Sequence, residues 1–326
     1  MVKKFSQKEA KLLNQALALC QQGNLQEGKN ILQLLYRDFP NHPDVLSPLG
    51  AIKLQEGYLD DGIFNLAQSL KLNPRQPAAL NNIGNGYLEL KKYEEALNAF
   101  EKTIQMQPSF VDAYFNQGRA HSALKDYKKA ILAYQKATDI NSNYVWAYIN
   151  KGYCYFQLEQ YEEAQESYKQ ALSINKNIPE LQNNLALVYQ KLGHINESIE
   201  SFNLAIKLNP IYVDAYLNLG NVLMEVDDIN QSQQCFTEAL KLDPKNLLIY
   251  EALFNTFNGS EYFDTSEKYI NQALEIDPKF DLALFTKAKL LGYQGKFEEA
   301  KILLLRLLKI NPNEIEALKM LYRLSK

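Results

Sequence analysis

The sequence predicts an all-α solenoid made of paired helices, and three observations support this. Segments of 34 residues follow one another without an insertion, a period typical of a helix–turn–helix repeat. Each segment closes in a proline or a polar residue at the same position: Pro40, Pro74, Pro108, Ser142, Lys176, Pro210, Pro244, Pro278 and Pro312. Apolar residues recur at helical spacing inside the segments. Besides these three observations, the composition is that of a folded soluble protein, with 46% hydrophobic and 22% charged residues.

Each segment carries one apolar stripe for each of its two helices. In the third segment, the first stripe consists of Leu80, Ile83, Gly84 and Tyr87. The second stripe there consists of Ala96, Phe100 and Thr103. Small residues allow the two helices to approach closely, and aromatic residues fill the space between neighbouring segments. The closing proline cannot continue a helix, but it suits the start of the next one.

This pattern resembles the tetratricopeptide-repeat family over nearly the whole chain. The resemblance divides residues 9–314 into nine repeats, at 9–42, 43–76, 77–110, 111–144, 145–178, 179–212, 213–246, 247–280 and 281–314. It implies a right-handed superhelical solenoid of about nine helix pairs whose first helices line a concave groove. A lead-in at 1–8 precedes the repeats. In the eighth repeat, we expect looser packing at the loop Asn258-Gly259-Ser260.

A C-terminal capping helix at 315–326 is expected to follow the last repeat. Three leucines would give this helix an apolar face that lies over the ninth repeat: Leu318, Leu321 and Leu324. Its basic residues would face solvent: Lys319, Arg323 and Lys326.

A row of asparagines at one position of the first helices predicts a binding surface. The position midway between the packing residues Leu80 and Gly84 points away from both, and it is Asn82. The same position in the next four repeats is also asparagine: Asn116, Asn150, Asn184 and Asn218. An amide side chain donates and accepts hydrogen bonds, as a peptide backbone does. Because neighbouring helices lie about 8–10 Å apart, near the length of three extended residues, this ladder could hold an extended peptide.

Further groove candidates lie three or four residues from the ladder on the same stripe: Asn85, Arg119, Tyr153 and Asn221. Trp146, the only tryptophan, precedes Asn150 by one helical turn. With Tyr153 it would form an apolar patch, beside Phe115 and Ile149, that anchors a partner side chain. Two alternatives stay open. Trp146 would instead pack across the joint between repeats, and the asparagines would be solvated remnants of one copied ancestral repeat.

The ladder is similar to the asparagine ladder in the repeat region of O-linked N-acetylglucosamine transferases, where such a groove holds substrate polypeptides. Residues 16–23 and 41–46 are also similar to the leading repeats of bacterial proteins with a C-terminal glycosyltransferase or sulfotransferase domain. The main hypothesis is a non-catalytic scaffold that binds an extended partner segment. The alternative is the substrate-recruiting arm of a larger enzyme, with its catalytic domain beyond Lys326.

The sequence predicts no catalytic residue, metal site or cofactor. Its histidines stand apart from cysteines and carboxylates at metal-ligand spacing: His42, His121 and His194. His121 occupies a packing position that other repeats fill with tyrosine, so we expect it in the core. The cysteines follow no metal or redox spacing and are expected to fill helix interfaces: Cys20, Cys154 and Cys235.

Charge and hydropathy exclude several classes of partner. The formal net charge is −3 and no basic stripe is present, so nucleic acid is not an expected partner. No apolar run reaches the length of a membrane span. The N-terminus has no apolar region typical of a secretion signal, so we expect a cytoplasmic protein. The expected partner is a protein or an extended peptide, with self-association through the N-terminal repeats as an alternative.

Overall fold

The computed structural model describes residues 4–256 and 263–325. Within these ranges it contains nineteen α-helices and no β-strand, so the all-α prediction is confirmed. The helices fall into two compact units, Met1–Lys176 and Asn177–Lys326. The loop Asn258-Gly259-Ser260 and Lys326, for which the sequence predicted loose packing and solvent exposure, lie outside the described residues.

Unit 1 contains five successive helix pairs. They are α1 (Gln7–Gln21) with α2 (Leu25–Asp38), α3 (Pro43–Gln55) with α4 (Leu59–Leu72), α5 (Pro77–Glu89) with α6 (Tyr93–Met106), α7 (Val111–Ala123) with α8 (Tyr127–Ile140), and α9 (Val145–Gln157) with α10 (Tyr161–Ile174). From α1 to α10, each helix of the unit packs against the next one within it. Ser6 caps α1 with a capping box, in which Glu9 reaches back to the Ser6 backbone N–H.

Unit 2 contains four pairs and a final single helix. They are α11 (Pro179–Lys191) with α12 (Ile195–Leu208), α13 (Val213–Glu225) with α14 (Ile229–Leu242), α15 (Leu247–Thr256) with α16 (Phe263–Ile276), α17 (Asp281–Tyr293) with α18 (Phe297–Ile310), and α19 (Ile315–Leu324). Here too, every helix packs against its successor. No helix in the described parts of the chain is both long and apolar enough to cross a membrane.

The first helices of successive pairs lie on the inner side of each stack. In unit 1, α3 contacts α5, α5 contacts α7 and α7 contacts α9. In unit 2, α11, α13, α15 and α17 form the same chain of contacts. The second helices of successive pairs make no comparable contact within the described residues. Because the first helices approach one another more closely, each stack bends with these helices inside.

Close approach within a pair depends on a glycine beneath an aromatic ring. A Cβ atom on Gly118 of α7 would lie 2.5 Å from ring carbon Cε1 of Tyr134 on α8. Gly152 stands in the same relation to Tyr168 on α10. Both tyrosine rings are buried. The small residues thus allow the close approach that the sequence predicted, but the ring that meets each glycine belongs to the same pair and not to the neighbouring segment.

In each of the eight pairs whose inner turn the structure describes, one residue has the left-handed conformation, always at the same repeat position. Four of these residues are glycines with φ between 76° and 86°: Gly23, Gly57, Gly193 and Gly295. Four are not glycine and have φ between 58° and 62°: Lys91, Lys125, Glu159 and Asp227. The next N–H then donates five residues back, as from Asn24 to the Leu19 carbonyl oxygen at 2.9 Å. This is the Schellman helix ending. The residue type at the left-handed position varies from repeat to repeat, so the sequence did not predict this ending.

The final helix packs against α17 and α18 through Leu321 and Leu324, as predicted, but not through Leu318. Ala317, Met320, Leu321 and Leu324 contact the core formed by α17 and α18. Leu318 is 47% exposed, so its prediction as a packing residue is wrong. Ala317 lies one period after the buried Ala283 and takes the corresponding place in the core. Lys319 and Arg323 are exposed, as expected.

Candidate functional site

Three of the predicted ladder residues lie on adjacent first helices of unit 1. Asn82 on α5 and Asn150 on α9 are half-buried, whereas Asn116 on α7 is only 6% exposed. The Nδ2 atom of Asn116 donates to Oδ1 of Asn81 on α5 at 3.3 Å. Its Oδ1 accepts from Nη1 of Arg119 at 3.4 Å. Asn116 therefore links α5 to α7 with its amide.

Unit 2 repeats this amide–amide contact. Asn218 on α13 donates from Nδ2 to Oδ1 of Asn183 on α11 at 3.0 Å. Asn183 is buried, while the ladder residue next to it, Asn184, is half-buried. One such bond leaves an amide its second N–H and further acceptor capacity. Sequence reasoning missed this partner, although the Asn-Asn pairs at 81–82 and 183–184 are its signal.

Asn150 makes a different bond because its neighbouring repeat lacks the second asparagine. The residue that corresponds to Asn81 one repeat later is Phe115. The Nδ2 atom of Asn150 donates instead to the backbone oxygen of Trp146, one turn earlier on the same helix, at 2.8 Å. The amide is thus held beside the tryptophan.

Two aromatic side chains stand exposed on either side of Asn150. Trp146 is 56% exposed and Tyr153 is 43% exposed. The Tyr153 ring meets the ring of Tyr127 edge-on at 6.3 Å, and partial burial raises the pKa of its hydroxyl. Phe115, expected beside them, packs instead against the rings of Tyr134 and Tyr144. The exposed apolar patch is therefore Trp146 with Tyr153.

The other predicted groove residues have different surroundings. Arg119 places Nη2 3.6 Å from Oε1 of Glu89 on α5. Asn85 is half-buried, and its Oδ1 is a buried acceptor with no hydrogen-bond partner among residues 4–256 and 263–325. Asn221 on α13 is exposed.

The residues considered for chemistry are placed as follows. His121 is half-buried beside Asp126 and Lys129 rather than in the core, which corrects the prediction, and burial lowers its pKa. Cys154 is fully buried, and burial raises the pKa of its thiol to about 11. Burial likewise raises the pKa of Cys235 to about 11. In the part of the chain that the structure describes, no three His, Cys, Asp or Glu side chains are grouped to hold a metal ion.

Paired helices in a constant period, with the first helix of each pair inside, define a helical-repeat protein of the tetratricopeptide class. The chain belongs to the family described as the cilia and flagella-associated protein 70 C-terminal domain, whose model matches residues 6–246. The model of a tetratricopeptide repeat matches residues 282–314. The predicted repeat family is thereby confirmed.

Solved structures share the fold at low sequence identity. A tetratricopeptide repeat protein from Parabacteroides merdae is 19% identical, with a TM-score of 0.55 over 78% of this chain and all of that one. The YrrB protein, described as having an unusual peptide-binding site, is 20% identical, with a TM-score of 0.50 over 57% of this chain and 96% of that one. The Cut9–Hcn1 assembly of the APC/C is 16% identical, with a TM-score of 0.51 over 93% of this chain and 59% of that one.

These likenesses show the fold alone, because every identity is below 25%. The search of curated proteins found no significant match. The similarity to the repeats of glycosyltransferases stays a prediction from the asparagine ladder.

Proposed function

We propose that the chain is a non-catalytic scaffold whose first-helix face binds an extended segment of a partner protein. The observation that carries the proposal is the exposure of Trp146 and Tyr153 around an amide on an inner helix. Large aromatic side chains left in water on a concave face are typical anchors for a partner. In unit 2, the asparagines Asn184, Asn218 and Asn221 would offer a second row of amides on the first helices.

The amides would set the path of the bound chain. Asn82 and Asn150 are partly open to solvent, so their amides have capacity for a peptide N–H or carbonyl. Asn116 is largely enclosed, and its main contribution is to hold α5 and α7 in register through Asn81. The bound segment would therefore touch the ladder unevenly, most strongly at its two ends in unit 1.

The comparison with solved structures supports a binding role through the shared fold alone. YrrB, which shares the fold, is described as a repeat protein with a peptide-binding site. The alternative hypothesis, a recruiting arm for a transferase domain, draws no support from the described residues, since their geometry suits an arm and a free-standing scaffold equally. Self-association likewise stays a hypothesis from sequence.

A selection from a phage-displayed library of random 12-residue peptides tests the proposal. Selected peptides are measured by fluorescence anisotropy against the wild type, Trp146→Ala and Phe64→Ala. Phe64 is a matched control because it is a 61% exposed aromatic residue on a second helix, α4. We expect Trp146→Ala to weaken binding about tenfold or more, as for an interface hot spot.

Asn82→Ala and Asn150→Ala should each weaken binding by a smaller factor, because a single amide contact contributes less than a buried aromatic anchor. Phe64→Ala should leave the affinity unchanged. Equal affinity of the wild type and Trp146→Ala for all selected peptides would contradict the proposal.

A further inference from the structure

A cavity of about 220 Å³ opens on the first-helix face between α3 and α5. Its apolar wall includes Leu54 and Leu59, with Gly86 of α5 beside them. A Cβ on Gly86 would lie 2.9 Å from Cδ2 of Leu54, so the glycine brings the α5 backbone directly against this wall. The opposite side of the cavity is polar and carries Asn82, Asn85 and Glu89.

The polar side of the cavity presents an unused acceptor. Oδ1 of Asn85 is buried and has no hydrogen-bond partner among residues 4–256 and 263–325. Buried acceptors are almost always paired, because removal from water without a replacement bond is unfavourable. Asn85 lines the cavity, so a turn of its amide would bring this enclosed oxygen to a donor supplied by a ligand.

The charge at the cavity is negative. Among the residues that line the cavity, Glu89 alone is charged. Its side chain is 60% exposed, and its Oε1 forms a long ion pair with Nη2 of Arg119 at 3.6 Å, so a ligand ammonium would compete with Arg119 for this carboxylate. Near the end of α3, Lys53 lies 3.5 Å from Asp61, and Glu56, the residue after the helix, lies 2.6 Å from Lys29. The cavity thus combines an apolar wall with a carboxylate and a neutral acceptor.

We propose that this cavity binds a lysine side chain of the partner segment, an inference that rests on the proposed function. The four-carbon stem of lysine lies along Leu54 and Leu59. Its ammonium group donates to Oδ1 of Asn85 and to the carboxylate of Glu89, with a third N–H left for the amide oxygen of Asn82. A compact ammonium suits acceptors that converge from several sides, whereas a planar guanidinium needs a side-by-side pair.

The spacing of the helices also constrains the ligand. Helix α5 lines the cavity, whereas Trp146 lies on α9 of the same unit. Two steps between successive first helices, from α5 to α7 and from α7 to α9, separate them. At about 8–10 Å for each step, an extended segment crosses this distance in about six residues. The preferred segment therefore carries lysine about six residues from the side chain that contacts Trp146.

The test uses fluorescein-labelled peptides of sequence Ala-Ser-Ala-Xaa-Ala-Ser-Ala-Ser-Ala-Tyr-Ala-amide and their reversed sequences. Xaa is lysine, norleucine or glutamate. Norleucine keeps an unbranched apolar stem but has no ammonium group. We expect the lysine peptide, in either the forward or the reversed sequence, to bind about tenfold more tightly than the matching norleucine peptide. This is the size of effect that charge-assisted hydrogen bonds to one ammonium group would give. The glutamate peptide should bind most weakly.

Variants locate the preference. In Glu89→Gln and Asn85→Leu, the advantage of lysine over norleucine should fall below about twofold, while the norleucine peptide keeps its affinity. Glu225→Gln is the matched control, because Glu225 occupies the position of Glu89 four repeats later and its loss changes the net charge equally. This control should keep the full lysine preference.

The outcomes separate the two proposals. Equal binding of the lysine and norleucine peptides to the wild type, with binding still lost in Trp146→Ala, would overturn the lysine site alone. A lysine preference that survives Glu89→Gln would do the same. Failure of every one of these peptides to bind would overturn the lysine site, whereas the proposed function falls only if all selected peptides bind the wild type and Trp146→Ala equally.

Discussion

The asparagine at the ladder position makes different hydrogen bonds in different repeats. Asn116 and Asn218 each bond to an asparagine on the first helix one repeat earlier, whereas Asn150 bonds to its own helix. The sequence predicted the helix face of all three residues, because a residue's direction follows from helical spacing. It did not predict their exposure, because that depends on the residue one repeat before, which is Phe115 in the case of Asn150.

The left-handed turn residues allow a prediction at the same scale. Gly193 has φ +77°, and a Cβ there would meet nothing within 4 Å. Gly193→Ala should therefore lower the unfolding free energy by about 1 kcal/mol through backbone strain alone. Glu159→Gly, at the same position of the preceding turn with φ 59°, should not lower it by a similar amount.

Urea unfolding followed by circular dichroism measures both variants. The comparison of midpoints under identical conditions is the relevant quantity, because long repeat arrays need not unfold in two states. An unchanged midpoint for Gly193→Ala would contradict the assignment of the left-handed turn.

At the scale of the helix, the sequence pattern predicted where helices form better than it predicted which face of a helix is buried. The helix pairs follow from a repeated local pattern, and the structure forms them throughout the described residues. Of the three leucines that were predicted to pack in α19, Leu321 and Leu324 do so and Leu318 does not. Leu284 and Ala288 of α17 are buried beside α18, whereas Leu318 and Tyr322, one period later, are 47% and 63% exposed. In a complete pair, these positions pack against the second helix, and no second helix follows α19 within the described residues.

The two leucines of α19 therefore differ in their contribution to stability. Leu321 packs against the α17–α18 core, so Leu321→Ala should lower the unfolding free energy by about 1–3 kcal/mol. Leu318→Lys should leave it nearly unchanged, because the side chain already lies in water. Thermal unfolding of the two variants beside the wild type measures the difference. Equal destabilisation by both substitutions would show that Leu318 belongs to the core.

At the scale of the molecule, function rests on which helices lie inside. The first helices contact one another in each unit, and these helices carry the ladder positions and Trp146. The sequence predicted the inner position of the first helices through its period and its resemblance to a known family. The cavity beside Asn85 could not be predicted, because it depends on how far apart α3 and α5 stand at Gly86.

The emission of Trp146 tests the central claim most directly, because it is the only tryptophan and lies on the proposed binding face. Fluorescence and acrylamide quenching are recorded for the wild type with and without a saturating selected peptide that lacks tryptophan. We predict a blue shift of the emission and weaker quenching on binding, because the peptide removes the exposed indole from water. Emission and quenching that stay unchanged at saturation would contradict the claim that this face holds the partner.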